Sequence, residues 1–353
     1  MDAPRNGPAG PGRRRARIQD VAARAGVSPA VVSRVLNDDP GLTVRPETRA
    51  KVTAAVRELG YVPRSAAAAL RRDRADALGL VLDRVTNPVF EDLVHGAERA
   101  AAEAGCGLLL LDAQEVARTP DLLTRVVRSR RVDGLLVQGG FGPGADAVAS
   151  LAAEIPTVVV NAPGTGAASG VMVEDARATR VATDHLLGLG HRTVAFVAGA
   201  PGYASDTRRA GYEAALRAAG VEVRPELVLG GGWLPEDGRA AVAAVGSGEE
   251  GRRVTAYVAA TAVLALGVVS ALAERGLRVP EDVSVAAVHD PWFAAYLTPA
   301  LTTVALPLAE LGGRAVHQLL EHLGSGRPAD TVVTEPAPHL VVRGSTAPVG
   351  TAG

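Results

Sequence analysis

Residues 18–37 contain two short amphipathic patterns separated by a glycine. In the first, apolar residues recur at helical spacing and predict one buried stripe: Ile18, Val21, Ala22 and Ala25. Gly26 suits a left-handed helix end, Ser28 can cap the next helix, and Pro29 suits its first position. The second helix buries Val32, Val35 and Leu36 and turns Ala30 and Arg34 the other way. This arrangement predicts a helix-turn-helix, with a helical hairpin inside a bundle as the alternative.

A third helix is predicted from Pro46 to Leu59, where Gly60 ends it, and it should close a small core against the first two. Tyr61 and Val62 are expected to cover that core. The segment that follows Pro63, RSAAAALRR, is too short to form a stable helix alone.

From Ala77 onward the pattern changes to short apolar runs that alternate with helical stretches. The candidate strands are 78–83, 107–112, 133–138, 157–161, 193–198, 255–260 and 283–288. Strands that are apolar throughout are typical of a parallel sheet covered on both faces. The sequence therefore predicts a doubly wound α/β pattern that occurs twice.

Charge is distributed unevenly along the 353 residues, although the net charge is only −1. Residues 1–76 hold 15 Arg and Lys against 8 Asp and Glu, whereas the remainder is acidic by a balance of −8. A basic end on an acidic body suits contact with a polyanion at that end only. The length predicts two or three domains at about 150 residues each.

The remaining compositional features indicate a reducing, cytoplasmic setting. Cys106 is the single cysteine, so it cannot form an internal disulfide, and a buried bystander is favoured over a reactive thiol. No apolar run approaches the length of a membrane span, and the N-terminus lacks the apolar core of a signal peptide. Residues 1–16 are predicted to form a disordered basic arm, which either adds phosphate contacts or is simply solvated.

Two segments, IQDVAARAGVSPAVVSRVLN and VRPETRAKVTAAVRELGYVPRSAAAALRR, resemble the DNA-binding head of the LacI/GalR family of bacterial transcription regulators. Later blocks follow in the family's order, among them TNPVFEDLVHGAERAAAEAG, HLLGLGHRTVAFVAG, RRAGYEAALRAAG and AERGLRVPEDVSV. The resemblance covers roughly residues 17 to 346.

The resemblance implies a domain order. A helix-turn-helix domain would occupy 17–62, a hinge helix or linker 63–76, and a body of two Rossmann-like lobes 77–346, like a type I periplasmic-binding protein. The first lobe would comprise 77–163 and 305–334, and the second 164–304 and 335–346, with crossings near 161–173, 302–306 and 333–339. Residues 347–353 are expected to be a disordered tail without a tetramerising helix, so a homodimer is the expected assembly.

Double-stranded operator DNA is the expected partner of the head. Arg34 is the one long polar residue on the outward face of the second helix, and arginine to guanine is the commonest specific contact. Pro29 and Ala30 match other reading positions of the family but offer only apolar contact. The resemblance makes Leu70 a wedge for the minor groove, with an ordinary linker residue as the alternative. The other candidate DNA contacts are Ser28, Ser33, Asn37, Arg64 and Ala67, where Arg64 replaces the usual Asn.

A small-molecule effector is expected in the cleft between the lobes, at the carboxyl ends of the strands. Arg208 keeps the arginine that bonds the effector in sugar-responsive relatives, although it could also be a surface residue. Trp233 matches an aromatic that packs on the effector, although a lone Trp is equally compatible with the core. The remaining candidates are Phe90, Asn161, Thr261, His289 and Asp290.

Departures from the family pattern occur at two of these positions. Thr261-Ala262 replaces an Asn-Asp pair, and His289-Asp290 replaces an Asp-Asp pair. Threonine and alanine offer a sugar fewer hydrogen-bond partners than carboxylates and amides do. Two alternatives remain open: an unusual, for example anionic, effector held by Arg208 and His289, or a cleft without ligand and control by a protein partner.

Two rival functions have less support. An enzyme would need a site, but the chain contains no dinucleotide fingerprint, phosphate loop, GxSxG motif or metal-spaced His/Cys cluster, and no cofactor is predicted. A solute receptor outside the membrane would need an export signal and would have no use for a basic head. The sequence therefore favours a DNA-binding transcription regulator, most simply a repressor, that recognises a palindromic site as a dimer.

Overall fold

The protein divides into two compact units, residues 1–73 and 74–353. In the computed structural model, the structure describes residues 16–36, 44–61, 74–119, 121–140, 150–245 and 254–350. The first unit is referred to below as the head and the second as the body.

Within its described residues, the head consists of three helices around one small core. They are α1 (Ile18–Ala25), α2 (Pro29–Leu36) and α3 (Pro46–Leu59). Gly26 and Gly60 end the first and third helices in the left-handed conformation, with φ of 69° and 58°, which a residue without Cβ adopts at little cost. The core contains Val21, Ala22, Ala25, Val32, Val35, Val52 and Ala55. The predicted helices and their apolar faces are confirmed.

Two six-stranded sheets form the frame of the body, as far as the structure describes it. The strands are β1 (Ala77–Leu82), β2 (Gly107–Asp112), β3 (Gly134–Gln138), β4 (Thr157–Val160), β5 (Ser169–Val173), β6 (Val194–Ala198), β7 (Val228–Gly230), β8 (Ala256–Ala259), β9 (Ser284–Val288), β10 (Thr302–Ala305), β11 (Thr331–Val333) and β12 (His339–Val341). The order is β11-β5-β4-β3-β1-β2 in lobe 1 and β12-β10-β9-β8-β6-β7 in lobe 2. All pairings are parallel except that of β10 with β12.

Helices cover both faces of the sheets. Their bounds are α4 (Glu91–Glu103), α5 (Ala113–Arg118), α6 (Asp121–Arg128), α7 (Asp175–Gly188), α8 (Tyr203–Ala218), α9 (Pro235–Ala244), α10 (Ala262–Glu274) and α11 (Leu308–Ser325). Residues 150–154 are also helical, and short 3₁₀ segments cover Pro88–Phe90, Pro225–Leu227 and Trp292–Tyr296. In β1, Leu78, Leu80 and Leu82 face one core while Val81 faces another, which explains why the strand is apolar throughout.

Three helix pairs cross at glycines, where backbone meets backbone. A Cβ at Gly96 of α4 would lie 1.9 Å from the carbonyl oxygen of Ala309 in α11, and one at Gly312 of α11 would lie 2.1 Å from that of Leu93 in α4. Gly211 of α8 approaches α7 in the same way, and Gly238 and Gly267 join α9 to α10. Only glycine permits these helix separations without a shift of backbone.

The chain passes between the lobes three times: at residue 174, at 306–307 and at 334–338. The boundary predicted at 163/164 was wrong, because β5 pairs with β4 and β11 and therefore belongs to lobe 1. The expectation of a disordered tail from residue 347 is also corrected. The backbone N–H of Ala347 donates to the hydroxyl of Ser284 at 3.0 Å, and that of Val349 donates to the carbonyl of Leu189 at 3.0 Å.

None of the helices in the described ranges is both long and apolar enough to cross a membrane.

Candidate functional site

The outward side of α2 is the candidate DNA-reading surface. Pro29, Ala30 and Arg34 are exposed and Ser33 is half-buried, whereas Val32 and Val35 are buried against the rest of the head. The hydroxyl of Ser28 accepts a hydrogen bond from the backbone N–H of Val31 at 3.4 Å, so it caps the helix start. The packing of two buried valines therefore fixes which face of α2 carries Arg34.

Other basic residues of the head are exposed on and beside α3, namely Arg45, Arg49 and Lys51. The predicted contacts Asn37, Arg64, Ala67 and Leu70, together with residues 1–15 of the arm, lie outside the described residues.

A cavity of about 260 Å³ lies between the two lobes of the body. The carboxyl ends of strands from both sheets reach it: Asp83 follows β1 and Asn161 follows β4 in lobe 1, while Thr261 follows β8 and His289 follows β9 in lobe 2. Six of the seven predicted effector residues line this cavity: Phe90, Asn161, Arg208, Trp233, Thr261 and His289. The position agrees with the rule that α/β sheets bind ligands at strand carboxyl ends.

Arg208 is buried and forms an ion pair that the sequence did not indicate. Its Nε and Nη2 lie 2.7 Å from Oδ1 of Asp175, and its Nη1 donates to the carbonyl oxygen of Ala260 at 2.8 Å. Nδ2 of Asn161 donates to the other oxygen of Asp175 at 3.1 Å. Because Asn161 follows a lobe 1 strand and Asp175 begins the lobe 2 helix α7, this hydrogen bond ties the lobes together beside the cavity.

Asp175 was missed because an acidic residue at the start of a helix has an ordinary explanation, namely a favourable interaction with the helix N-terminus. Its burial, with only 2% of its surface exposed, reveals the different role. No local signal in the sequence marks this role, because β5, the strand that precedes Asp175, was itself not predicted.

His289 is buried, and burial lowers its pKa to about 4, assisted by the Arg208 charge and opposed by Asp290. The imidazole is therefore neutral at physiological pH. Its Nδ1 is buried without a hydrogen-bond partner, as is Oδ1 of Asn161. Both residues have positive φ, 72° and 57° respectively. Positive φ at a residue other than glycine and buried polar atoms without partners both cost stability, so their occurrence together makes Asn161 and His289 candidates for ligand contacts.

Trp233 forms a fixed aromatic wall. Its ring lies so close to Gly199 that a Cβ there would come within 2.0 Å of it, and the Arg208 guanidinium lies 5.9 Å from the ring centroid. The Trp233 ring packs against the core of lobe 2 and also lines the cavity, so it has both positions considered from the sequence, in the core and beside the ligand.

Thr261 and Asp290 are used by the fold. The Thr261 hydroxyl accepts from the backbone N–H of Leu264 at 3.2 Å and caps α10. Asp290 does not line the cavity, because its carboxylate binds Nη1 of Arg343 at 2.6 Å and the hydroxyl of Thr303 at 2.6 Å. Burial raises the pKa of Asp290, but the hydrogen bonds from Arg343 and Thr303 outweigh burial and leave that pKa lowered.

Further polar residues of the lining were not anticipated from the sequence: Gln114 lies in the first turn of α5, Gln138 ends β3, and Asn87 precedes a 3₁₀ segment. Gln114 donates to Asp83 at 2.7 Å, and the amide oxygen of Gln138 accepts from the backbone N–H of Asp83 at 2.9 Å. The Asn87 oxygen accepts from the Val89 N–H, and Tyr203 adds a third aromatic ring to the cavity lining, beside Phe90 and Trp233.

No cluster of His, Cys, Asp and Glu that could hold a metal ion is present among the described residues.

A helix-turn-helix is a DNA-binding motif, and a cleft at the strand carboxyl ends of two α/β lobes is a usual position for a ligand, so the fold is that of a DNA-binding protein with a ligand-binding body. Comparisons with known proteins agree. Residues 17–64 match the model described as bacterial regulatory proteins, lacI family, and residues 183–346 match a periplasmic binding protein-like domain.

Known relatives match nearly the whole chain. The HTH-type transcriptional regulator reg1 of Streptomyces lividans is 35% identical, over 94% of this chain and 96% of its own length. Among solved structures, a transcriptional regulator CelR–cellobiose complex is 29% identical with a TM-score of 0.66, covering 94% of this chain and 100% of that one. A lac repressor dimer bound to operator and the anti-inducer ONPF is 25% identical with a TM-score of 0.76, covering 95% of this chain and 100% of that one.

The chain belongs to the lacI family of bacterial regulatory proteins. It is a DNA-binding transcription regulator with a ligand-binding body, and its relatives are regulators rather than enzymes.

Proposed function

We propose that this protein binds a palindromic operator as a homodimer and represses transcription, and that a small molecule in the cleft changes its affinity for DNA. The exposed face of α2, with Arg34 at its centre, carries the first part of the proposal. A relative was solved as a dimer on operator DNA, which supports the assembly. Binding to genomic DNA would place the protein in the cytoplasm.

The candidate DNA contacts differ in role. Arg34 is proposed to read a base edge in the major groove, and Pro29 and Ala30 to offer apolar contact to a thymine methyl. Ser28, Ser33 and Asn37 are proposed as phosphate or base-edge contacts, and Arg49 as a phosphate contact. Arg64, Ala67 and the wedge Leu70 would act in the minor groove of the bent operator.

The cleft is proposed as the effector site because it contains an open cavity and is not filled by side chains from the two lobes. Its volume of about 260 Å³, its aromatic walls and the buried Asp175–Arg208 pair favour ligand binding over a cleft that has lost its ligand. A ligand that binds the closed lobes more tightly than the open lobes would shift the protein toward the closed form and so change its affinity for DNA. The size of this change cannot exceed the difference in the ligand's binding free energy between the two forms. Control by a protein partner is the competing proposal. It would be favoured if no small molecule were found to bind in the cleft.

The first experiment tests base reading. After an operator has been selected from random duplexes, Arg34→Ala should weaken binding to it by about 1–3 kcal/mol and relax one operator position in each half-site. Arg49→Ala should instead weaken all sequences alike and reduce the salt dependence, because a phosphate contact carries no sequence information. Gel-shift titration at several salt concentrations measures both effects.

Arg217→Ala in the body is the control for loss of one positive charge, because Arg217 is exposed on α8. Unchanged operator selectivity in Arg34→Ala would contradict the base-reading role. Failure to select any symmetric sequence would contradict the proposed function itself.

A further inference from the structure

The cleft contains little free positive charge. Two nitrogens of Arg208 lie 2.7 Å from Asp175, and a third donates to Ala260. His289 is uncharged at neutral pH, and the other charged residue on the described lining is the acidic Asp83. An anionic ligand would have to break the buried ion pair or be desolvated without a partner, and both are unfavourable. The structure thus argues against the anionic effector considered from the sequence.

Many polar side chains of the lining already hold the protein's own loops. The oxygens of Thr261 and Asn87 accept from backbone N–H groups, and the Ser205 hydroxyl donates to the Gly199 carbonyl at 3.1 Å.

Few side-chain groups of the described lining remain for a ligand. The amide nitrogens of Asn87 and Gln138 keep hydrogens, and Oδ1 of Asn161 and Nδ1 of His289 are buried without a partner. A polyhydroxylated ligand needs a partner for almost every hydroxyl, because a buried hydroxyl without one is costly.

The apolar part of the lining is extensive and includes three rings. Phe90 comes from lobe 1, while Tyr203 and Trp233 come from lobe 2, and Leu93, Leu306 and Leu308 also line the cavity. The volume of about 260 Å³ is slightly below the roughly 300–1,000 Å³ usual for ligand pockets. The space therefore suits one ring or two fused rings that stack against aromatic walls.

We propose that the effector of this cleft is a small uncharged aromatic molecule with a carbonyl or hydroxyl acceptor, and that it is neither a sugar nor an anion. Its ring would stack between Phe90 and the Trp233 wall, and its acceptor would take a hydrogen bond from the amide of Asn87 or Gln138. The inference rests on the proposed function, in which the cleft is the effector site.

The experiment uses the full chain with Trp292→Phe. The protein has two tryptophans, and Trp292 is 65% exposed and does not line the cavity, so this variant leaves Trp233 as the only tryptophan fluorophore. The probes are benzamide, its charged isostere benzoate, phenol, ribose and glucose at millimolar concentrations, and emission is excited at a wavelength that tryptophan absorbs and these probes do not. Trp233 emission is followed in titrations, and the unfolding temperature of the unsubstituted chain provides a second readout.

Benzamide or phenol should change the emission saturably and raise the unfolding temperature, and benzoate should bind about tenfold or more weakly than benzamide. Phe90→Ala should weaken the aromatic probe about threefold to tenfold, which matches the loss of one ring contact. Tyr296→Ala, at a ring that is 81% exposed and outside the cavity lining, should leave it unchanged.

Saturable binding of ribose or glucose, benzoate binding as tightly as benzamide, or no response to either aromatic probe would each overturn the inference. Operator gel shifts on the same preparation separate the two proposals. If no operator is selected but the aromatic probe still binds, only the proposed DNA-binding function is contradicted. If the operator is bound but a sugar occupies the cleft, only the proposed ligand class is contradicted.

Discussion

At the residue scale, the Asp175–Arg208 pair is the charged contact on which the cleft depends. The two side chains are 1% and 6% exposed, so each charge relies on the other rather than on water. Breaking a buried pair leaves the remaining charge without compensation, whereas exposed pairs contribute little because water and salt screen them.

Asp175→Asn should therefore lower the free energy of unfolding of the body by about 3–5 kcal/mol. Asp184→Asn is a matched control on the same helix, since Asp184 is about half-exposed and pairs with Arg180 at 3.4 Å, and it should change stability little. Chemical denaturation of both variants measures the difference. Equal stability of the two variants would contradict the importance of the buried pair.

The cleft residues show which individual roles a sequence can reveal. Arg208 and Trp233 were predicted because they match family positions, and His289 because it replaces a residue at such a position; all three line the cavity. The partner that neutralises Arg208 could not be predicted, because Asp175 lies 33 positions away and only the fold brings the two together. Asp290 follows His289 directly in sequence, but its side chain is turned toward Arg343.

At the scale of elements, glycine contacts set the distances between helices that carry the cleft. α4 and α11 meet through Gly96 and Gly312, and α4 follows the turn that bears Phe90. Interiors packed this closely respond to the addition of a single carbon.

Gly312→Ala should destabilise the body by about 1–3 kcal/mol, because the new methyl would lie 2.1 Å from the Leu93 carbonyl oxygen. Gly324→Ala, on the same helix with no atom within 4 Å of its Cβ, should be neutral or stabilising by up to about 1 kcal/mol. Thermal unfolding of the two variants provides the comparison. A Gly312→Ala variant as stable as Gly324→Ala would show that the helices separate without penalty.

Element prediction succeeded for the apolar strands inside the sheets and failed at sheet edges and near the crossings between the lobes. The seven predicted strands are present, with ends shifted by a residue or two. The strands β7, β11 and β12 were not predicted, because each has only three residues and lies at a sheet edge, and β5 and β10 were not predicted because their segments were assigned to crossings between the lobes. Their register depends on neighbours that are distant in sequence, such as β11 beside β5, and local periodicity carries no signal for such pairings.

At the scale of the whole molecule, the two units differ in charge and in titration. All seven histidines lie in the body and none in the head. Burial lowers the pKa of four of them: His185, His191, His289 and His322. A histidine whose folded pKa lies below its unfolded value of about 6.5 stabilises the fold above that pH. The stabilisation is lost as the pH falls toward the folded pKa, which is about 4 for His289.

Lowering the pH from about 7.5 to about 5.5 should therefore destabilise the body more than the head, with His289 alone contributing roughly 1–1.5 kcal/mol. Scanning calorimetry of the full chain at both pH values should show the body transition moving to lower temperature. His289→Gln should reduce that movement, because glutamine takes up no proton on unfolding. Equal movement of the two transitions would contradict this account.

Each lobe receives a strand from a segment far along the chain. β11 closes the sheet of lobe 1 and β12 pairs with β10 of lobe 2, and Val349 is hydrogen-bonded to Leu189. During translation, the head is synthesised first, whereas each lobe lacks a strand until residues 331–341 have left the ribosome. A nascent chain stalled before these residues would thus present a complete DNA-binding head on an unfinished body, without the cleft that is proposed to control it.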